Sequence, residues 1–195
     1  MELRNGIKAF YAKSAKEWRK WLEKNHKSEK AVWIIFYKQG SGTPSVSYVE
    51  AVEQALCFGW IDSTANKRDE ESYYQYFTKR NPKGKWAGTN KVRVEKLIDQ
   101  GLMTPAGMEM IDLAKKTGTW DALNDVEAVI VPDDLMKCLK KNKKALSHWE
   151  AFSPSSKKII LYWISDAKRP ETRQKRIDET VRLAADNIKA NHYRP

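Results

Sequence analysis

The chain is short of cysteine, of histidine and of long uncharged runs, and each shortage closes a class of function. Its 195 residues include two cysteines, Cys57 and Cys138, too few for a disulfide framework, so both read as cytosolic thiols. The three histidines, His26, His148 and His192, form no H-x3-H or H-E-x-x-H pair, and no C-x2-C exists. The sequence therefore predicts no metal site and no cofactor. No stretch of about 18 residues lacks charge, which excludes a membrane-spanning helix. The segment Met1-Glu2-Leu3-Arg4-Asn5-Gly6 has no apolar signal-peptide core, so a cytoplasmic location is expected. No G-x-x-x-x-G-K-[ST] loop is present, which excludes nucleotide hydrolysis of that kind.

What the chain has is aromatic and basic. Apolar residues make up 41% and aromatics 11%, enough for a core rather than a disordered chain. The length allows one domain, or one domain with a small appendage. The net charge of +11 is unevenly placed: residues 136–195 hold 15 Lys/Arg against six Asp/Glu, and the rest is nearly neutral. That shift, with a change of pattern near Val131-Pro132-Asp133-Asp134, predicts a sheet domain over 1–132 and a basic helical module over 133–195. No Gly/Ser-rich linker, internal repeat or low-complexity tract separates them.

The first part alternates extended and helical signals. Ile7 to Tyr11 reads as a short strand, and Ala31 to Tyr37, dense in β-branched and aromatic residues, as the strongest one. Ser14-Ala15-Lys16-Glu17 spells a capping box opening a helix to about His26, with Trp18, Trp21 and Leu22 on one face. Ser47-Tyr48-Val49-Glu50 opens a second, which Gly59 should end. Strands are expected at Trp60 to Ser63 and Tyr73 to Thr78 around a polar turn at 66–71. Helices are expected at about 88–100, closed by Gly101, and from Thr104-Pro105 to near Gly118. This order predicts an α+β domain with a mainly antiparallel sheet. From Asp133, read as a cap, all signals are helical; the last helix starts at Pro170 with a seam of Ile177, Val181, Ala184 and Ile188.

Four places could carry chemistry. Cys57 closes a helix, where the dipole disfavours a thiolate, so a buried structural cysteine is the expected reading. Trp60 and Asp62 share a strand face; the aspartate could be a general base, or could pair with an arginine or cap a turn. The loop Thr78-Lys79-Arg80…Lys83…Lys85-Trp86 sets four cations among aromatic residues, a pattern that suits a phosphate or carboxylate with a planar body. Its alternative is a solvated loop over core aromatics. On the last helix, Arg169, Arg173 and Arg176 cluster beside the apolar seam and could grip an anion, or tie the helix to neighbouring carboxylates.

Ala55-Leu56-Cys57-Phe58-Gly59-Trp60-Ile61-Asp62, Phe77-Thr78-Lys79-Arg80 with Lys85-Trp86 and Asn90, Gly101 to Gly107, and Ala167 to Arg173 together resemble the bacterial YdeI/OmpD-associated, or bacteriocin-protection, family. The resemblance implies a distantly frataxin-like sheet domain, a helical module and a stress or antimicrobial-peptide-resistance context, and implies no catalytic residue. The expected function is a non-enzymatic protein that binds an anionic small molecule or a protein partner. The alternatives are nucleic-acid binding, motivated by the basic tail, and an uncharacterised enzyme with a pocket near Asp62 and Arg80.

Overall fold

The run Ala31–Tyr37 becomes β3, the strand on which the first part of the chain is built. A computed structural model of the chain describes residues 2–192 and divides into two units, one ending at Asp121 and the other beginning at Ala122. In the first unit β1 (Leu3–Arg4), β2 (Ile7–Tyr11), β3, β4 (Trp60–Lys67) and β5 (Ser72–Lys79) form one sheet in the order β1-β2-β3-β5-β4. Neighbours pair antiparallel except β2 and β3, which run parallel. That parallel pair needs a crossover, and α1 (Ala15–Asn25) supplies it.

Alternation along β3 separates two faces. Val32, Ile34 and Phe36 meet Trp18 and Leu22 of α1 and Val52, Ala55 and Leu56 of α2 (Tyr48–Cys57) in the main core. Trp33 and Ile35 lie on the other face with Ala9 and Tyr74. Both expected capping serines cap. At α2 the box is complete: the Glu50 amide donates to the Ser47 hydroxyl, and the Ser47 amide donates to the Glu50 carboxylate at 3.0 Å. At α1 Ser14 accepts from the Glu17 amide, while the Glu17 carboxylate takes the amide of Lys13 instead of the cap's own.

The β4–β5 hairpin extends further than the pattern predicts, so the polar turn shrinks to about 68–71. There Asp69 accepts the amides of Glu71 and Ser72. Beyond it lie α3 (Gly88–Asp99) and α4 (Pro105–Thr117); Gly101 and Gly118 take the left-handed conformation just past their ends.

The second unit is helical: α5 (Asn124–Glu127), α6 (Asp133–Lys140), α7 (Lys143–Ala151), α8 (Pro154–Ser165) and α9 (Pro170–Ala185). Leu135, Leu139, Trp149, Ile160, Ile164, Ile177 and Leu183 form its core. Two details depart from expectation. Pro132, not Asp133, occupies the cap position of α6, which places Asp133 and Asp134 in the first turn, where negative charge suits the helix dipole. The buried residues of α9 are Ile177, Thr180, Leu183 and Ala184, with the expected Val181 packed beside them; Ile188 is exposed because the helix ends at Ala185 and Asn187 turns left-handed.

Asp134 also holds α9. Its two carboxylate oxygens accept from Arg173 Nε at 2.7 Å and Nη2 at 3.0 Å, and the arginine holds the carboxyl below the usual aspartate range. A carboxyl depressed by folding stabilises the native state above its unfolded pKa and loses that effect as pH falls through the lower, folded value. Acid titration should therefore erode this unit's stability in the acid range, and Asp134→Asn should flatten that dependence. Denaturation followed across pH in both proteins checks it.

Candidate anion-binding cleft

Four chain segments converge beside the sheet to leave a cleft of about 500 Å³ in the first unit. It is lined by His26 and Lys27 at the end of α1, Phe58 to Trp60 entering β4, Lys79 to Arg80 and Pro82 leaving β5, and Ala106, Glu109 and Met110 of α4. The order of the sheet brings the start of β4 beside the end of β5: Trp60 pairs with Lys79, and the Arg80 amide donates to the Gly59 carbonyl at 2.9 Å.

Local chemistry holds these segments together. At Thr104 the hydroxyl donates to the Cys57 carbonyl at 2.6 Å, and the Thr104 amide reaches the same oxygen at 3.1 Å. Thr104 therefore begins α4 without capping it by its side chain, contrary to the expected cap. The first-turn amides of α4 are left without a side-chain cap, and the helix presents Ala106, Glu109 and Met110, one side of its first two turns, to the cleft. The approach is close enough to require glycine. A Cβ on Gly107 would overlap the Cys57 carbonyl, with the carbonyl carbon at 2.8 Å, and one on Gly59 would stand 2.9 Å from the Ala106 oxygen. Gly59 also has φ +71°, a conformation that glycine adopts without a Cβ penalty.

Arg80 is the unusual member of the lining. It is only 7% exposed, yet it has no carboxylate partner among the described residues. Its guanidinium lies 3.7 Å from the centre of the Trp86 ring, and Nη2 donates to the Lys85 carbonyl at 2.8 Å. Nε is buried with no acceptor. One of the five N–H donors of a guanidinium is thus engaged by protein. Burial pushes Arg80 down to about 10, which still leaves it charged at neutral pH. Trp86 in turn packs on Trp120, with ring centres 5.0 Å apart.

The other polar groups stand nearer to water. Lys27, Lys79 and Glu109 are exposed, and Lys79 Nζ donates to the Lys27 carbonyl at 2.7 Å. His26 Nδ1 donates to the Leu22 carbonyl at 2.8 Å, which leaves Nε2 as the ring nitrogen open to a ligand. Phe58, Trp60, Pro82, Ala106 and Met110 supply apolar walls. Trp60 Nε1 is itself occupied by the His26 carbonyl at 3.3 Å.

Of the residues singled out from sequence, Trp60, Lys79 and Arg80 meet in this cleft, with Lys85 and Trp86 directly behind Arg80. Asp62 and Thr78 are placed elsewhere. Asp62 accepts from Tyr48 at 2.7 Å and Gln75 at 3.4 Å, and burial together with that aspartate pushes the Tyr48 phenol up to about 12. Thr78 donates to the Lys30 carbonyl at 3.0 Å. Cys57 is buried, and burial pushes its thiol up. In the second unit Arg173 is committed to Asp134, and Arg176 donates to the Trp163 carbonyl while stacking 5.1 Å from that ring; Arg169 is the N-terminal cap residue of α9. His26, Lys27, Phe58, Gly59, Ala106, Glu109 and Met110 were missed. The one available signal was Thr104-Pro105, which marks a helix start but not what that start faces.

A family model described as a domain of unknown function, DUF8412, matches residues 10–110, more than half of the chain and all of the cleft's lining. The chain belongs to that family. A second model, described as Bacteriocin-protection, YdeI or OmpD-Associated, matches residues 128–187, within the helical unit. The resemblance drawn from segments between Ala55 and Arg173 therefore divides: the YdeI/OmpD-associated match covers the helical part, and the sheet part of the chain is matched by a model of its own. No curated protein and no solved structure matches.

Gly107 sets the approach that shapes the cleft, so Gly107→Ala should destabilise the protein by about 1–3 kcal/mol, as overpacking does in a tight site. Denaturant midpoints measure this; an unchanged midpoint would mean that α4 shifts without cost. Arg80→Met should behave oppositely. Exchanging a buried, unpaired charge for an apolar side chain should leave stability unchanged or raised, whereas a loss above about 2 kcal/mol would assign Arg80 to holding the 81–87 loop.

Proposed function

We propose that the protein binds a small anionic molecule in the cleft around Arg80 and acts by binding, not by catalysing a reaction. The observation that carries this reading is a charged guanidinium, nine-tenths buried, with four of its five donors unengaged by protein among the described residues. Protein interiors pair such groups, because an uncompensated buried charge is costly. A group left in that state, on the wall of a cleft, suits an anion supplied from outside. The rim cations Lys27 and Lys79 favour the same sign of ligand.

The description matched by the helical unit is the support for a role in bacteriocin protection or a related bacterial stress response. A cytoplasmic setting is part of the same proposal and suits two unpaired thiols. Among the described residues no helix is long and apolar enough to cross a membrane.

Thermal denaturation with a panel of small carboxylates and phosphates tests the reading. A ligand in the cleft at 100 times its dissociation constant should add about 2.7 kcal/mol of stability. Arg80→Met should weaken that ligand about tenfold or more, the usual effect of losing a charge-assisted hydrogen bond in a desolvated site. Anion-induced stabilisation that survives Arg80→Met undiminished would place the binding elsewhere.

A further inference from the structure

We infer that the ligand of the Arg80 cleft is a monocarboxylic acid with a compact apolar body, not a phosphorylated molecule. This rests on the anion-binding reading above and narrows it. Three observations select the class.

The first is charge matching. The cleft holds one buried cation, Arg80, while Lys27 and Lys79 stand exposed at the rim, where solvent and salt weaken their reach. One guanidinium neutralises one charge. A phosphate monoester at neutral pH carries between one and a half and two charges, roughly, and its second charge would be desolvated without a buried partner.

The second is Glu109. Its carboxylate belongs to the same lining as Arg80 and has no cationic partner among the described residues. Exposed as Lys27 and Lys79 are, it offsets part of their positive charge at the rim and leaves Arg80 as the cation that selects the ligand's charge.

The third is the wall. Phe58, Trp60, Pro82, Ala106 and Met110 present hydrocarbon, and the polar atoms of two neighbours are turned to protein: Trp60 Nε1 to the His26 carbonyl and Lys79 Nζ to the Lys27 carbonyl. Beyond His26 Nε2, sugar hydroxyls or a second acidic group would find few partners on that surface, whereas an aryl or short alkyl body would be desolvated favourably. The cleft, at about 500 Å³, has the size of a small-molecule site.

Titration calorimetry on the full chain, with 3-phenylpropionate, its amide, acetate and phenyl phosphate, tests this at about pH 7.5, where the phosphate monoester is mainly a dianion. 3-Phenylpropionate should bind about tenfold or more tightly than each of the other three. Arg80→Met should remove its advantage over the amide, and Glu109→Gln should narrow its advantage over phenyl phosphate. If Arg80→Met folds poorly, Arg80→Lys, which keeps the charge and loses the planar fork, should lower the same preference. Tighter binding of phenyl phosphate that depends on Arg80 overturns the monocarboxylate assignment and leaves the anion-binding reading intact. Acetate binding as tightly as 3-phenylpropionate overturns the apolar body. No anion binding that depends on Arg80 overturns both.

Discussion

The contact between α4 and the end of α2 is the constraint from which the sheet unit's cleft follows. One carbonyl, that of Cys57, receives both the amide and the hydroxyl of Thr104, and the helix that begins there lies so close that Gly107 has no room for a Cβ. Spending Thr104 on this tether has a cost and an effect. The first-turn amides of α4 lose the side-chain cap that a threonine at that position commonly provides, and the helix is held beside Gly59 so that Ala106, Glu109 and Met110 form one wall of the cleft.

Arg80 shows the opposite economy. The interior surrounds it with a flat aromatic face and a single carbonyl, which orient a guanidinium without neutralising it. Three other arginines have a carboxylate, Arg68 with Glu2, Arg19 with Glu23 and Arg173 with Asp134, whereas Arg4 and Arg176 lie over aromatic rings as Arg80 does. The contrast lies within one molecule and one set of rules. What sets Arg80 apart from Arg4 and Arg176 is that it is buried and lies on the wall of a cleft, so a positive charge stands at a defined point there.

Much of the fold was legible because its elements are locally specified. The Ser47–Glu50 capping box, the apolar run of β3 and the proline that starts each of α4, α8 and α9 act within a few residues, so spacing alone reveals them. The last helix was less legible. Ile177 and Ala184 are buried and Val181 packs against the core as the spacing suggests, but Ile188 is exposed because the helix ends at Ala185, and Leu183 with Thr180 completes the buried side. The cleft was legible by half. Lys79, Arg80, Lys85 and Trp86 stand together in the chain and announce themselves as a basic and aromatic cluster. His26, Glu109 and Met110 come from helices whose meeting depends on the sheet order β3-β5-β4 and on α4 docking, neither of which has a local spelling. Burial separated Arg80 from Lys79, and no composition argument distinguishes two adjacent cations.

The cleft's four walls come from stretches near residues 26, 59, 80 and 108, spread over most of the unit's length. No hairpin or single helix pair contains enough of it to hold a ligand, so the site exists only when sheet, crossover helix and α4 are all in place. Local openings that release any one of the four stretches would abolish it. Occupancy would then suppress each of these openings at once, turning separate fraying motions into one cooperative event. The site would thereby sense the integrity of the whole sheet unit, not of any one element.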